Sequence, residues 1–191
     1  MNKVYQIQIT LNHSKPKIWR RILIPADLTL ADFHKVIQSA MGWENAHLHH
    51  FIKNNKYYSN KMEDDDFWDD TMNVDYQDMK VADLLVKEKD EIIYEYDFGD
   101  GWEHIIILED IQQKEKAVHP VCIDGKMNCP PEDCGGVWGY DEMLNILKDP
   151  KNPDYEGYKE WLGEDFDPEH FKIDEINKRL KMKNFGSYFF Y

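Results

Sequence analysis

A chain of 191 residues, 42% hydrophobic and 14% aromatic, has enough apolar surface for one core and too much for a disordered tail, even with 31% of residues charged. Its net charge of -14, with only the arginines Arg20, Arg21 and Arg179, disfavours nucleic acid as a partner, because counterion release needs a cationic face. The longest aliphatic run, Ile105 to Leu108, is far too short to cross a membrane, and the opening MNKVYQIQITL alternates where a secretory signal would be apolar, so a soluble, cytoplasmic protein is expected.

Tyr5, Ile7, Ile9 and Leu11 alternate with polar residues at the period of a half-buried strand, and after the turn NHSKPK the stretch IWRRILI places Ile18, Ile22 and Ile24 on one face. The two segments predict an opening hairpin. Thr29 is placed to cap a helix carrying Asp32 in its first turn, Phe33, Val36, Ile37, Ala40 and Met41 recur at helical spacing, and Gly42 supplies the stop. HLHHFI and KYYS flank an Asn54-Asn55 turn as a second hairpin. EDDDFWDD, Glu63 to Asp70, predicts an exposed, mobile loop and lacks the spaced ligands of a calcium-binding loop. VADLLV predicts a short helix, and EIIYEYDF and WEHIIILEDI flank the turn GDG, the latter apolar on both faces and therefore central. YDEMLNILKD and YEGYKEWLG predict helices, and Asp167-Pro168-Glu169 carries the cap, proline and acid that open another.

The expected fold is therefore α+β: a mixed sheet of about five to six strands with one packed helix, β-grasp-like, and C-terminal helices. One domain over 1–191 is expected, sheet-rich in 1–118, with a cysteine loop in 119–138 and a helical part in 139–185. The cysteine loop reads as a hinge, stiffened by Pro130-Pro131 and released by Gly135-Gly136.

All three cysteines lie in HPVCIDGKMNCPPEDCGG, where a disulfide framework is improbable for an odd, clustered set in a reducing compartment. His119, Cys122, Cys129 and Cys134 could close a tetrahedral zinc site, although paired C-x2-C knuckles are missing. A structured loop with reduced thiols and a redox site are the other readings. His47 and His49, two apart on an expected strand, would project from one face and could chelate a metal or share a proton with His104, or merely line a polar face. Asp97, Asp100 and His104 could form an acid-base or metal cluster at a hairpin end, but Gly99-Asp100-Gly101 is also what a tight turn requires. Glu132 and Asp133, between prolines and glycines, are aimed either into a site or at the cap of the next helix.

Read together, IWRRILIPADLTLADFHKVIQSAMGW, HLHHF, YEYDFGDGWEH, CPPEDCGG followed by WGYDEML, and EWLGEDFDPEHF resemble the plasmid (pRi) ORF-3-like family, also labelled resolvase-like passengers of an insertion element. The resemblance spans nearly the whole chain and implies an α+β domain of bacteria and archaea, often carried on mobile elements, without an established activity. The resolvase label is discounted on chemistry, because a recombinase needs an arginine-rich pocket around its nucleophile. The first functional expectation is a binding or accessory module with a pocket lined by His47, His49, His104 and Pro130 to Gly136 and a protein as a partner. The second is a metal-dependent enzyme using Asp97, Asp100, His104, Glu132 or the cysteines.

Overall fold

The computed structural model describes residues 1–61, 68–69, 71–163 and 165–187. Among them, eight strands form one sheet in the order β5-β4-β3-β6-β7-β1-β2-β8. β1 (Asn2–Leu11) and β2 (Trp19–Pro25) are the opening hairpin, α1 (Leu30–Met41) follows, and β3 (His49–Lys53) and β4 (Lys56–Ser59) turn at Asn54 and Asn55, both left-handed at φ 51 and 60. β5 (Asn73–Asp75) pairs parallel to β4, and all other neighbours are antiparallel. α2 (Val81–Leu84), β6 (Glu91–Tyr96), β7 (Trp102–Lys114) and β8 (Val121–Lys126) precede α3 (Gly136–Ile146), α4 (Tyr155–Leu162) and α5 (Ile173–Leu180).

One face of this sheet carries the core, because each strand places alternate apolar residues there. Tyr5, Ile7, Ile9 and Leu11 of β1, Ile22 and Ile24 of β2, Tyr94 and Tyr96 of β6, and Trp102, Ile106 and Leu108 of β7 are all buried. α1 adds Leu30, Phe33, Val36, Ile37, Ala40 and Met41, each worth about 1.5–3 kcal/mol where a large side chain leaves water completely. Its ends are fixed as the spacing predicts: Thr29 Oγ1 accepts from Asp32 N at 3.1 Å, and Gly42 closes the helix at φ 101. β7 lies inside the sheet, as its two apolar faces require.

Three elements depart from expectation. The sheet has eight strands instead of five to six, because β5 is too short to show a period and β8 lies inside the presumed cysteine loop. In β8 the alternation is broken by a register shift against β2, between Arg21 and Ile22, and by Gly125, over which Phe171 and the Trp19 carbonyl pack too closely for a side chain. Asp167-Pro168-Glu169 makes a turn, in which Asp167 Oδ1 accepts from Glu169 N at 2.8 Å, and α5 starts only at Ile173. The acidic stretch lies outside the described residues except for Trp68 and Asp69, as do the last four residues of FGSYFFY.

β8 is one edge of the sheet, and α5 covers it. The Asn177 side chain accepts from Cys122 N and donates to Cys122 O, both at 2.8 Å, so one amide meets both backbone groups of an edge residue.

Candidate functional site

Three loops meet at the end of the sheet where β6 and β7 turn. The first is the 43–48 segment after α1. Trp43 Nε1 donates to Pro130 O at 2.9 Å and its ring stacks on Tyr96, with centroids 5.1 Å apart. The second is the GDG turn, whose start is set by Asp97: this residue sits at φ 56, and its Oδ1 accepts from Gly99 N at 3.0 Å and Asp100 N at 3.4 Å. An aspartate tolerates this left-handed conformation better than most residues, because the side chain replaces backbone partners. Of the two turn glycines only Gly101 has a positive φ.

The third loop is PPEDCGG. Tyr96 is its anchor, donating to Glu132 Oε1 at 2.5 Å while its oxygen accepts from Ala46 N and His47 N at 2.9 and 3.3 Å. Glu132 Oε2 also accepts from Glu44 N, and Asp100 Oδ2 accepts from Gly135 N at 3.1 Å. Gly136, at φ 69, lies so close to the Asp100 carbonyl that a Cβ would collide with it. Glu132 and Asp133 therefore cap no helix. α3 starts from Gly135 without a side-chain cap.

The outcome is a convergence of His47, Asp97 and Asp133. His47 Nε2 is 3.7 Å from Asp97 Oδ2 and 3.4 Å from Asp133 Oδ1, and one ligand atom from each residue falls within 4.8 Å of the other two. Side-chain exposure rises from 12% at Asp97 through 29% at His47 to 74% at Asp133, so the cluster opens to solvent on one side. Two of the three carriers hold positive φ, Asp97 at 56 and Asp133 at 58. Such backbone geometry costs on the order of 1 kcal/mol or more per residue and gathers where side chains must be aimed.

The other expected residues go elsewhere. His47 lies before β3, so it does not share a strand with His49. His49 is half-buried instead, its Nε2 2.7 Å from Tyr76 OH and its ring stacked on His34 with centroids 3.4 Å apart. His34, from α1, links Tyr94 OH and Asn45 Oδ1 at 2.8 and 2.6 Å, while His104 approaches only backbone carbonyls. Burial lowers the pKa of both His34 and His104 to about 4, and that of His49 well below the ordinary value. His34 and His104 are neutral groups of the core, and His49 stacks on His34 at its margin. His34 was overlooked in the sequence, although its place beside Phe33 on the apolar stripe of α1 was the available signal.

The four residues of the expected zinc site are dispersed. Among the described residues no three of His119, Cys122, Cys129 and Cys134 bring ligand atoms as close together as one ion requires. His119 Nε2 lies 2.6 Å from Leu180 O, and the Cys122 thiol donates to Asp124 O at 3.4 Å. Burial pushes all three thiols up, Cys134 to about 12, so with no metal cation beside them they stay protonated.

The fold and site define an α+β protein with an open, one-faced sheet and an imidazole-dicarboxylate cluster at one end. No helix of the described residues is long and apolar enough to cross a membrane. The chain belongs to the plasmid pRiA4b ORF-3-like protein family, whose pattern matches residues 3–175. It is 33% identical over 182 residues to the uncharacterized protein y4hQ of Sinorhizobium fredii (strain NBRC 101917 / NGR234), covering 93% of this chain and 90% of that one. Its fold is similar to the crystal structure of MM3350, a protein of unknown function from Methanosarcina mazei Go1, at a TM-score of 0.80 and 38% identity, over 92% of this chain and 98% of that chain.

Proposed function

We propose that the protein is a divalent-cation-binding module whose ion is held by His47, Asp97 and Asp133. The observation that supports this reading is the approach of three ligand atoms, from three separate loops, to within 4.8 Å of one another. One imidazole and two carboxylates suit a borderline divalent ion such as Mn2+ or Zn2+ better than a soft thiolate-seeking one. Three protein ligands leave coordination positions for water or a bound molecule, as in metal sites that act on a ligand and unlike closed structural ones.

Equilibrium dialysis against Mn2+ and Zn2+, with bound metal read by mass spectrometry, tests it. Wild-type protein should bind one equivalent of at least one ion. Asp97→Asn and Asp133→Asn should each weaken binding by about tenfold or more, or roughly 1.4 kcal/mol. Asparagine keeps the left-handed backbone and the turn hydrogen bonds while removing the charge, so the fold is preserved in both variants. Equal occupancy in the double variant and the wild type would overturn the assignment.

A further inference from the structure

Two of the three guanidinium groups of the chain line one cavity, and among the described residues neither is hydrogen-bonded or ion-paired to a carboxylate. Arg21 is the exception, bidentate to Glu109 at 2.5 and 2.8 Å. Arg20 lies on the apolar face of β2 between Ile18 and Ile22 and is only 3% exposed. Its Nε donates to Ala40 O and its Nη1 to Trp19 O and Lys126 O, at 2.8 to 2.9 Å, while Nη2 makes no hydrogen bond among the described residues. Arg179 of α5 makes neither an ion pair nor a side-chain hydrogen bond among the described residues. Its buried Nε has no partner, and its Nη1 lies over Gly42. Both arginines line an open cavity of about 930 Å³, together with Trp43, Cys129, Phe166 and Phe171.

Charges in such places are ordinarily paired, because an isolated ion loses hydration that nothing returns. Of the described carboxylates lining the cavity, Glu132 accepts from Tyr96, Asp133 lies beside His47, and Glu175 contacts His170 and Lys172 while acting on Arg179 only from farther off. Glu44 pairs with no cation among the described residues. Cys129 supplies no anion either, since burial raises its thiol far above the ordinary range. Lys172 and Lys178 add further positive charge to the lining. Among the described residues the two most enclosed guanidiniums thus have no carboxylate at ion-pair distance: Glu175 attracts Arg179 only from farther off, and Arg20 has the Phe171 ring at 5.0 Å.

We propose that this cavity binds a small molecule bearing a phosphate or carboxylate group, with Arg179 as the main anion ligand, Arg20 Nη2 as a second donor, and Trp43 and Phe166 against the rest of the ligand. A guanidinium is the side chain suited to two-point contact with either oxyanion. The site adjoins the cation cluster, since Asp133 reaches the wall of the same cavity, but its anion ligands are different residues and do not require the cation.

The test is calorimetry and thermal melting of chelator-treated protein with inorganic phosphate and, separately, succinate, which tells the two oxyanions apart and works whether or not the cation reading holds. Wild type should give one saturable binding event per chain with at least one of them and a ligand-dependent rise in Tm. Arg179→Met should melt at the same or a higher temperature without ligand, because it removes an uncompensated charge, and should lose at least tenfold in anion affinity. A structural arginine behaves in the opposite way, with a lower Tm or no folding for Arg179→Met, and that result would overturn the proposal. So would the absence of saturable heat from both anions in the wild type, or undiminished binding by the variant.

Discussion

His34 and His104 are held neutral in the core, and this makes the stability of the protein depend on pH in a definite direction. Each has a folded pKa of about 4 against an ordinary value of 6.5, so below pH 6.5 the unfolded chain takes up protons that the folded chain refuses. The stabilisation is complete above pH 6.5 and is lost progressively as the pH falls towards 4. At pH 5 the loss should be roughly 2 kcal/mol per imidazole, with His49 acting in the same sense. Urea unfolding at pH 7 and pH 5 measures it, and a flat profile would refute the burial of these groups as neutral species. His34→Gln, whatever its stability at pH 7, should show a shallower decline over the same interval. Little of this was legible in the sequence. His104 could be placed on a strand by alternation, but whether an imidazole there meets a partner or only carbonyls is decided by its neighbours Tyr94, Trp102 and Trp43.

Among the elements, the GDG turn and the start of α3 depend on each other at a single glycine. Gly136 needs both its positive φ and its missing Cβ, since Asp100 O fills the space where a side chain would begin. Gly136→Ala should therefore cost about 2 kcal/mol or more and should also abolish cation binding, because the turn that carries Asp97 would be pushed from the loop that carries Asp133. Gly157, inside α4 with nothing within 4 Å of a Cβ, provides the contrast: Gly157→Ala should be neutral or stabilise by up to about 1 kcal/mol. Denaturant midpoints of the two variants check both statements. Elements with their own local signals, such as α1 with Thr29 and Gly42 or the Asn54-Asn55 hairpin, were legible from the sequence. Asp167 misled because an aspartate accepting from the amide two residues on looks the same in sequence whether a helix follows or not. The candidate site was legible only as separate residues. His47, Asp97 and Asp133 are distant in the chain, and no local spacing announces that three loops will meet, whereas the cysteines, neighbours in sequence, do not bring three ligand atoms together with His119.

At the scale of the molecule, the sheet that the described residues form has eight strands and two edges, and a sheet edge is a template for pairing with another chain. β5 offers only three residues. β8 is longer, and there Asn177 acts as a strand one residue long: its amide presents the same donor and acceptor that a ninth strand would bring to Cys122. Asn177→Ala should lower stability by about 1–3 kcal/mol, as expected when buried polar groups lose their partners. It should also produce concentration-dependent scattering, which light scattering at fixed temperature would detect. A variant that lost stability but remained monodisperse would show that α5 shields the edge by bulk alone. Asn177 thus closes one rung of the β8 edge: the backbone donor and acceptor of Cys122 are already taken by a side chain and are not on offer to an added strand.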